Sequence, residues 1–456
     1  MIGLSPSASK ISLVGLAILL AAALGYFFGA YGTDQTLLQI ALVGIAIPFA
    51  FTLSIEWLIW ISLISVLLAE THLIAPGSIF YLRYAPMGLL TLHGMTALIN
   101  DRSRRKYLPG FLLFPAVLLC LLALASTLYA FNATTTFQKA LAFAFAIIGF
   151  GTTLPFMING PDRRKRSTYR LLAICMFFLL ISLSGLVTGQ ARYFMNEANI
   201  QRFQGVFNNP NTLGVVCMFI LLGLLASWRD VTSRLTRLVL GAAMLIVLSE
   251  LLLSGSRASL LGLAVGIFIY LRLSGSILNL RVILLSFLVL GAVALFVPIE
   301  GTHFVSGDTA LRPDTWAIAF DIGMRSPVIG SGFSTDEILL ANAQYVASAQ
   351  YDVVGGHNEY LRIFVGLGVL GLGVLLWLLT ALLFKAYQYI QESSGTNAVG
   401  IAGLLAIVSA AMVNAIFEDG LLALGGASAF LFWYFAFTLA TAIHRNEQSE
   451  ILPGRH

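Results

Sequence analysis

The chain has 456 residues, 58% of them hydrophobic and only 10% charged, against roughly 25% charged in an ordinary soluble domain. That excludes a soluble globular protein. Apolar runs of roughly 17 to 25 residues recur along the chain, which implies a polytopic membrane protein whose spans satisfy their own backbone as α-helices, where a β-barrel would alternate. The net charge of +5 lies in short clusters between spans, where it sets orientation rather than forming a nucleic-acid surface.

In chain order, hydropathy places spans near 11–30, 37–53, 56–69, 84–99, 108–130, 137–159, 171–188, 213–228, 238–253, 258–272, 282–298, 361–384, 399–416 and 426–443. The second and third are short and either merge or are partly re-entrant, so the expected fold is an all-α helical bundle with about 12–14 transmembrane helices. The first span is long for a signal-peptide core, and no small-residue cleavage site with a soluble domain follows it. Cys120, Cys175 and Cys217 fall inside apolar runs and read as small buried hydrophobes.

Placing the N-terminus in the cytoplasm gathers most of the 26 basic residues on one side, in clusters such as Arg102 to Lys106, Arg163 to Arg170 and Arg229 to Arg237. Eight are left outside: Arg83, Lys139, Arg192, Arg202, Arg257, Arg312, Arg325 and Arg362. Both termini are then cytoplasmic. The long polar segment 299–360, the stretch from Gly189 to Asn211 and the turn Ser254-Gly255-Ser256-Arg257 are external, on the periplasmic side. No ATP or sugar nucleotide is available there, so a reaction must run on an activated group carried in the membrane.

Segment 299–360 reads as a helical periplasmic cap between the spans near 282–298 and 361–384. Pro313 suits a first helical turn, and Leu311, Thr315, Ile318 and Ile322 with Trp316 and Phe320 give a broad apolar face. Pro327 and the glycines from Gly330 to Gly332 end that helix.

External arginines resist the topology signal that gathers the others. Arg202 and Arg257 each offer a planar, permanently charged fork suited to bidentate phosphate binding, or else snorkel to lipid headgroups. Glu250 lies two helical turns before Arg257 on the same face, as its structural counter-ion rather than directly in the chemistry. Glu418-Asp419 is either a solvated loop or an acceptor-sugar contact. His357 precedes a helix whose N-cap is Asn358; the positive helix end disfavours imidazolium and leaves the ring able to accept a proton, although a lone loop histidine is often incidental. The external loops hold no HExxH, clustered His/Cys, Gly-x-Ser-x-Gly or P-loop, which disfavours metal-dependent and serine-nucleophile chemistry.

Four motifs occur in order: Arg202-Phe203-x-Gly205-x-Phe207-x-Asn209-Pro210-Asn211; Ser254-Gly255-Ser256-Arg257; Arg312 with Trp316 and Pro327-x-x-Gly330-x-Gly332; and His357-Asn358-x-Tyr360-Leu361 leading into Gly366-x-Gly368. Together they resemble the O-antigen ligase superfamily, which includes O-antigen ligases and Wzy-type O-antigen and exopolysaccharide polymerases, over about Tyr193 to Phe384.

The resemblance implies three regions: N-terminal transmembrane helices (1–188), an O-antigen ligase-like catalytic region (189–384) and C-terminal transmembrane helices with a cytoplasmic tail (385–456). It implies a metal-independent, inverting glycosyltransferase of the bacterial inner membrane, needing no cofactor, for lipopolysaccharide or exopolysaccharide synthesis. The donor would be an undecaprenyl-diphosphate-linked glycan and the acceptor a lipid A core sugar or another lipid-linked glycan. Arg202 and Arg257 would bind the diphosphate and His357 would be the base, with Arg312, Asn358, Glu250, Asn209 and Asn211 in support.

The three main side chains are expected to converge on one diphosphate-sized space. The competing class is a transporter or lipid-linked oligosaccharide flippase, motivated by the many spans and intramembrane Glu250. Its usual repeated halves and paired interrupted helices are not evident.

Overall fold

The computed structural model describes residues 54–73, 82–188, 193–195, 201–274, 311–347, 356–393, 395–423 and 425–451. Each expected span within those residues is a helix: α1 (Ile55–Ala69), α2 (Ala85–Asn100), α3 (Gly110–Ala125), α4 (Ala133–Met157), α5 (Pro161–Val187), α6 (Pro210–Ser227), α7 (Arg234–Ser254) and α8 (Arg257–Leu273). After the cap helices α9 (Leu311–Met324) and α10 (Asp336–Ala347) come α11 (Glu359–Glu392), α12 (Thr396–Asn414) and α13 (Ala427–Ile451). The spans expected near 11–30, 37–53 and 282–298, the start of the cap before Leu311, and Arg192 lie outside the described residues.

Among the described residues, eight helices are long and apolar enough to cross a membrane. The fold is therefore an all-α polytopic membrane bundle. Helices α1, α2 and α8 have 15, 16 and 17 residues, short of a hydrocarbon core of about 30 Å at 1.5 Å per residue. Helix α5 begins ten residues before the expected span: Pro161 sits in its first turn, and the basic run Arg163 to Arg170 winds into its polar start.

The core is built on α13, where Phe430, Phe432, Trp433, Tyr434, Phe435 and Phe437 are all fully buried. A helix apolar on every side belongs in the middle of a bundle. Its two polar rings find partners, as that burial requires: Trp433 Nε1 donates to Leu421 O at 2.6 Å, and the Tyr434 hydroxyl pairs with Ser167 Oγ at 2.6 Å. Helices α8 and α12 meet through small residues four apart. A Cβ on Gly262 would stand 2.7 Å from Ala410 O, and one on Gly266 3.1 Å from Ala406 O. Such close backbone approach is how membrane helices gain packing where lipid supplies no hydrophobic drive.

Helix α11 is interrupted at Gly368, whose φ of 63° and ψ of −162° are non-helical. The loop after α9 lies along the break: Ser331 N and Gly332 N donate to Val365 O and Gly366 O, both at 2.9 Å, and Val369 N donates to Pro327 O at 2.8 Å. Carbonyls freed by the break are thus satisfied by backbone, which a membrane interior demands. The cap itself rests on α11: Phe320 stacks on Phe364 with ring centroids 5.8 Å apart, and Ala319, Ile322, Leu340 and Val365 form a small second core.

Two short strands, β1 (Tyr193–Met195) and β2 (Gln201–Phe203), form an antiparallel hairpin with Phe194 opposite Arg202. The expected cap helix over Leu311 to Ile322 is observed as α9; α10 and the hairpin were not expected from hydropathy.

Candidate functional site

The Arg202 to Asn211 segment is fixed from both sides. Phe203 and Phe207 are buried in the core. Gly205, at φ 58°, turns against α5, where a Cβ would stand 2.5 Å from Ser182 Oγ, and Val206 N donates to that hydroxyl at 3.1 Å. Asn209 caps α6, its Oδ1 accepting from Asn211 N at 2.8 Å, and Pro210 follows at the first helical position. The Asn211 side chain is thereby aimed across the bundle.

Arg202 stands behind it, donating from Nε to Ser254 O at 2.9 Å and from Nη2 to Asn211 Oδ1 at 2.5 Å. Asn211 Nδ2 in turn donates to Glu418 Oε1 at 2.8 Å, and Glu418 Oε2 lies 3.7 Å from His357 Nδ1. A continuous polar chain therefore joins Arg202 to His357. Gly255, at φ 62°, ends α7, and Ser256 precedes Arg257, the first residue of α8. Arg202 thus holds the carbonyl three residues before Arg257.

His357 has φ 43°, and the other non-glycine residue with positive φ among those described is Ser334, at 59°. Both line the same cavity. Left-handed backbone at such residues costs about 1–3 kcal/mol and persists where surrounding contacts over-determine it. Those contacts are present. Trp316 Nε1 donates to Gly356 O at 2.7 Å, Asn358 caps α11 by accepting from Leu361 N at 3.0 Å, and Glu359 N donates to Ala415 O at 2.9 Å. Cap, helix and the turn after α12 together set the imidazole.

The cavity has a volume of about 450 Å³, and His357, Asn209 and Asn211 are in its wall. Neither Arg202 nor Arg257 is in that wall. Arg202 reaches it through Asn211, and Arg257 opens the helix after the turn that Arg202 holds. Arg312 lies in the first turn of α9. Glu250 is fully buried beneath this region, and its carboxylate oxygens have no hydrogen-bond partner among the described residues.

Sequence reasoning did not assign Glu70, Arg83, Lys139, Ser334, Glu337 or Arg362 to a site, yet all line this cavity. Arg362 is buried and ties three segments together, with Nε 3.2 Å from Asp336 Oδ1, Nη2 3.8 Å from Glu337 Oε1 and Nη1 3.9 Å from Asp419 Oδ2. Burial raises the Asp336 carboxyl above its usual range, and the Arg362 guanidinium opposes that rise. Burial likewise pushes Glu70 up to about 7, against the N–H of Ala427 and the charge of Arg83. The signal was present in the sequence: Arg83, Lys139 and Arg362 belong to the eight basic residues that the orientation rule leaves outside. Among the described residues, no three His, Cys, Asp or Glu side chains gather as metal ligands would.

Fold and cavity together define a multi-pass membrane protein with a polar, substrate-sized cleft at one end of its bundle. Residues 242–376 match the Wzy_C family model, described as O-antigen ligase. Over those residues, from the middle of α7 to the middle of α11, the chain is similar to the O-antigen ligase superfamily. This supports an O-antigen ligase- or polymerase-type function at the membrane. No curated protein matches the chain.

Proposed function

We propose that the protein is a metal-independent, inverting glycosyltransferase of the bacterial inner membrane, with its cleft in the periplasm and both termini in the cytoplasm. It moves a glycan from undecaprenyl diphosphate to an acceptor hydroxyl. His357 takes the hydroxyl proton while the acceptor oxygen attacks the anomeric carbon from the face opposite the diphosphate. The anomeric carbon–oxygen bond breaks, and the diphosphate leaves with the electron pair. Arg202 and Arg257, outside the cavity wall at the same end of the bundle, add a fixed positive field that stabilises the charge developing on it. Glu418 orients the imidazole and stabilises it once protonated.

The observation that carries this reading is the placement of His357: a strained residue at the head of a span, facing a polar cavity and joined through Glu418 and Asn211 to Arg202. Incubating the purified protein with an undecaprenyl-diphosphate-linked glycan and, in separate reactions, a lipid A core or a second lipid-linked glycan tests it. Glycan should move to one of the two acceptors. A donor left intact with both would sink the proposal.

A further inference from the structure

A second cavity, of about 480 Å³, opens at the other end of the same helices. Helix α6 relates the two, with Asn211, Thr212 and Val215 in the wall of the first and Gly223, Ala226 and Ser227 in that of the second. The separation from Asn211 to Ser227 is about 24 Å of helix.

Its rim is cationic. Arg164, Lys165 and Arg229 face it against the single carboxylate of Asp230, a balance of three positive charges to one negative. Lys165 Nζ pairs with Asp230 Oδ1 at 2.9 Å, and Arg229 Nη1 donates to Ser274 O at 2.8 Å. The Arg164 side chain forms no carboxylate ion pair among the described residues, and its charge lies near the Tyr389 hydroxyl. Its Nη2 lies over the start of α12, 3.8 Å from where a Gly400 Cβ would be. Helices α5 and α12 both begin at this rim, after Gly160 and Gly395, and neither start has a side-chain cap. Their exposed N–H groups add positive field to that of the side chains.

The floor is different in kind. Ala226, Leu404 and Ile407 carry the cavity down between the helices. A cationic rim above an apolar floor suits a phosphodiester with hydrocarbon below it, whereas a free anion would use the rim only. The neighbouring start of α7 exposes Leu235, Leu238 and Val239 beside Arg234, as a helix entering lipid does.

We propose that this cavity binds the phosphate of an anionic phospholipid headgroup, with Arg164 as its principal cation, at the membrane face opposite the candidate active site. Phosphatidylglycerol, phosphatidylcholine and sodium phosphate are each titrated into the purified full-length protein in neutral detergent, read by retained adducts in native mass spectrometry and by the thermal midpoint. Phosphatidylglycerol should be retained and raise the midpoint, while phosphatidylcholine and phosphate should not. Arg164→Gln should weaken phosphatidylglycerol retention about tenfold, the loss of a charge-assisted phosphate contact.

Gly400→Leu, which fills the space beside Arg164 without removing a charge, should weaken it too and keeps the test open if the first variant is unstable. Equal retention of the two lipids, or wild-type retention by a folded variant, would overturn the proposal. Protection by phosphate alone, lost in Arg164→Gln, would overturn the lipid assignment in favour of a free anion.

Discussion

His357 combines backbone strain with a carboxylate 3.7 Å from Nδ1 and a place in the cavity wall. As the proton acceptor, its loss in His357→Ala should lower kcat by about 10²–10⁴-fold. Glu418→Gln keeps the shape but not the charge, and is expected to reduce kcat about tenfold, the worth of one modest charge contact, with the donor KM nearly unchanged. Steady-state kinetics on the two variants separates these roles.

Glu70 gives a residue-scale pH dependence. Its folded pKa of about 7 lies above the ordinary 4.5. The folded state therefore holds the proton more tightly, so the contribution is fully present below about 4.5 and is lost as pH rises through about 7. Thermal midpoints of wild type and Glu70→Gln at pH 5 and pH 8 should show the variant gaining on wild type at the higher pH. No change in their difference would contradict the assignment.

At the scale of elements, the interrupted helix α11 and the loop seated in its break hold the cleft's shape. Gly330 has φ 72°, and a Cβ there would lie 2.3 Å from the Gly366 carbonyl carbon, backbone against backbone. Gly330→Ala should therefore destabilise by more than about 3 kcal/mol, and the thermal midpoint should fall well below wild type. Arg362 joins α11 to α10 and to the turn at Asp419, and its neutral isostere leaves those carboxylates without their cation. Arg362→Met is expected to cost about 3–5 kcal/mol in denaturant unfolding.

The sequence showed these glycines as motif positions without showing why. Gly330-x-Gly332 and Gly366-x-Gly368 explain each other only when the loop and the helix break are brought together, a contact with no periodicity to reveal it. Helix α10 escaped notice for another reason. Its residues from Asp336 to Ala347 are too polar and too few to register in a reading tuned to membrane spans.

At the scale of the molecule, hydropathy located every span within the described residues because the bilayer imposes length and apolarity on each. The site was only partly legible. Its cations were visible as exceptions to the orientation rule, but Arg83, Lys139 and Arg362 were indistinguishable there from residues that serve topology alone. Its carboxylates were harder still: Glu70 follows α1, Glu337 belongs to the cap and Glu418 to the turn after α12, and only folding places them around one space. The turn from Ser254 to Arg257 gains its meaning in the same way, through Arg202 reaching it from the hairpin.

In the proposed reaction His357 is the base in the cleft, and Arg202 and Arg257 supply fixed positive charge from outside its wall. The most direct measurement is the transfer rate from an undecaprenyl-diphosphate-linked glycan by wild type, His357→Ala, Arg202→Ala and Arg257→Ala, each reconstituted in liposomes and shown to be folded by its thermal midpoint. Wild type should form product, and each variant should lose at least about a hundredfold in rate. Wild-type rates in the three folded variants would contradict it.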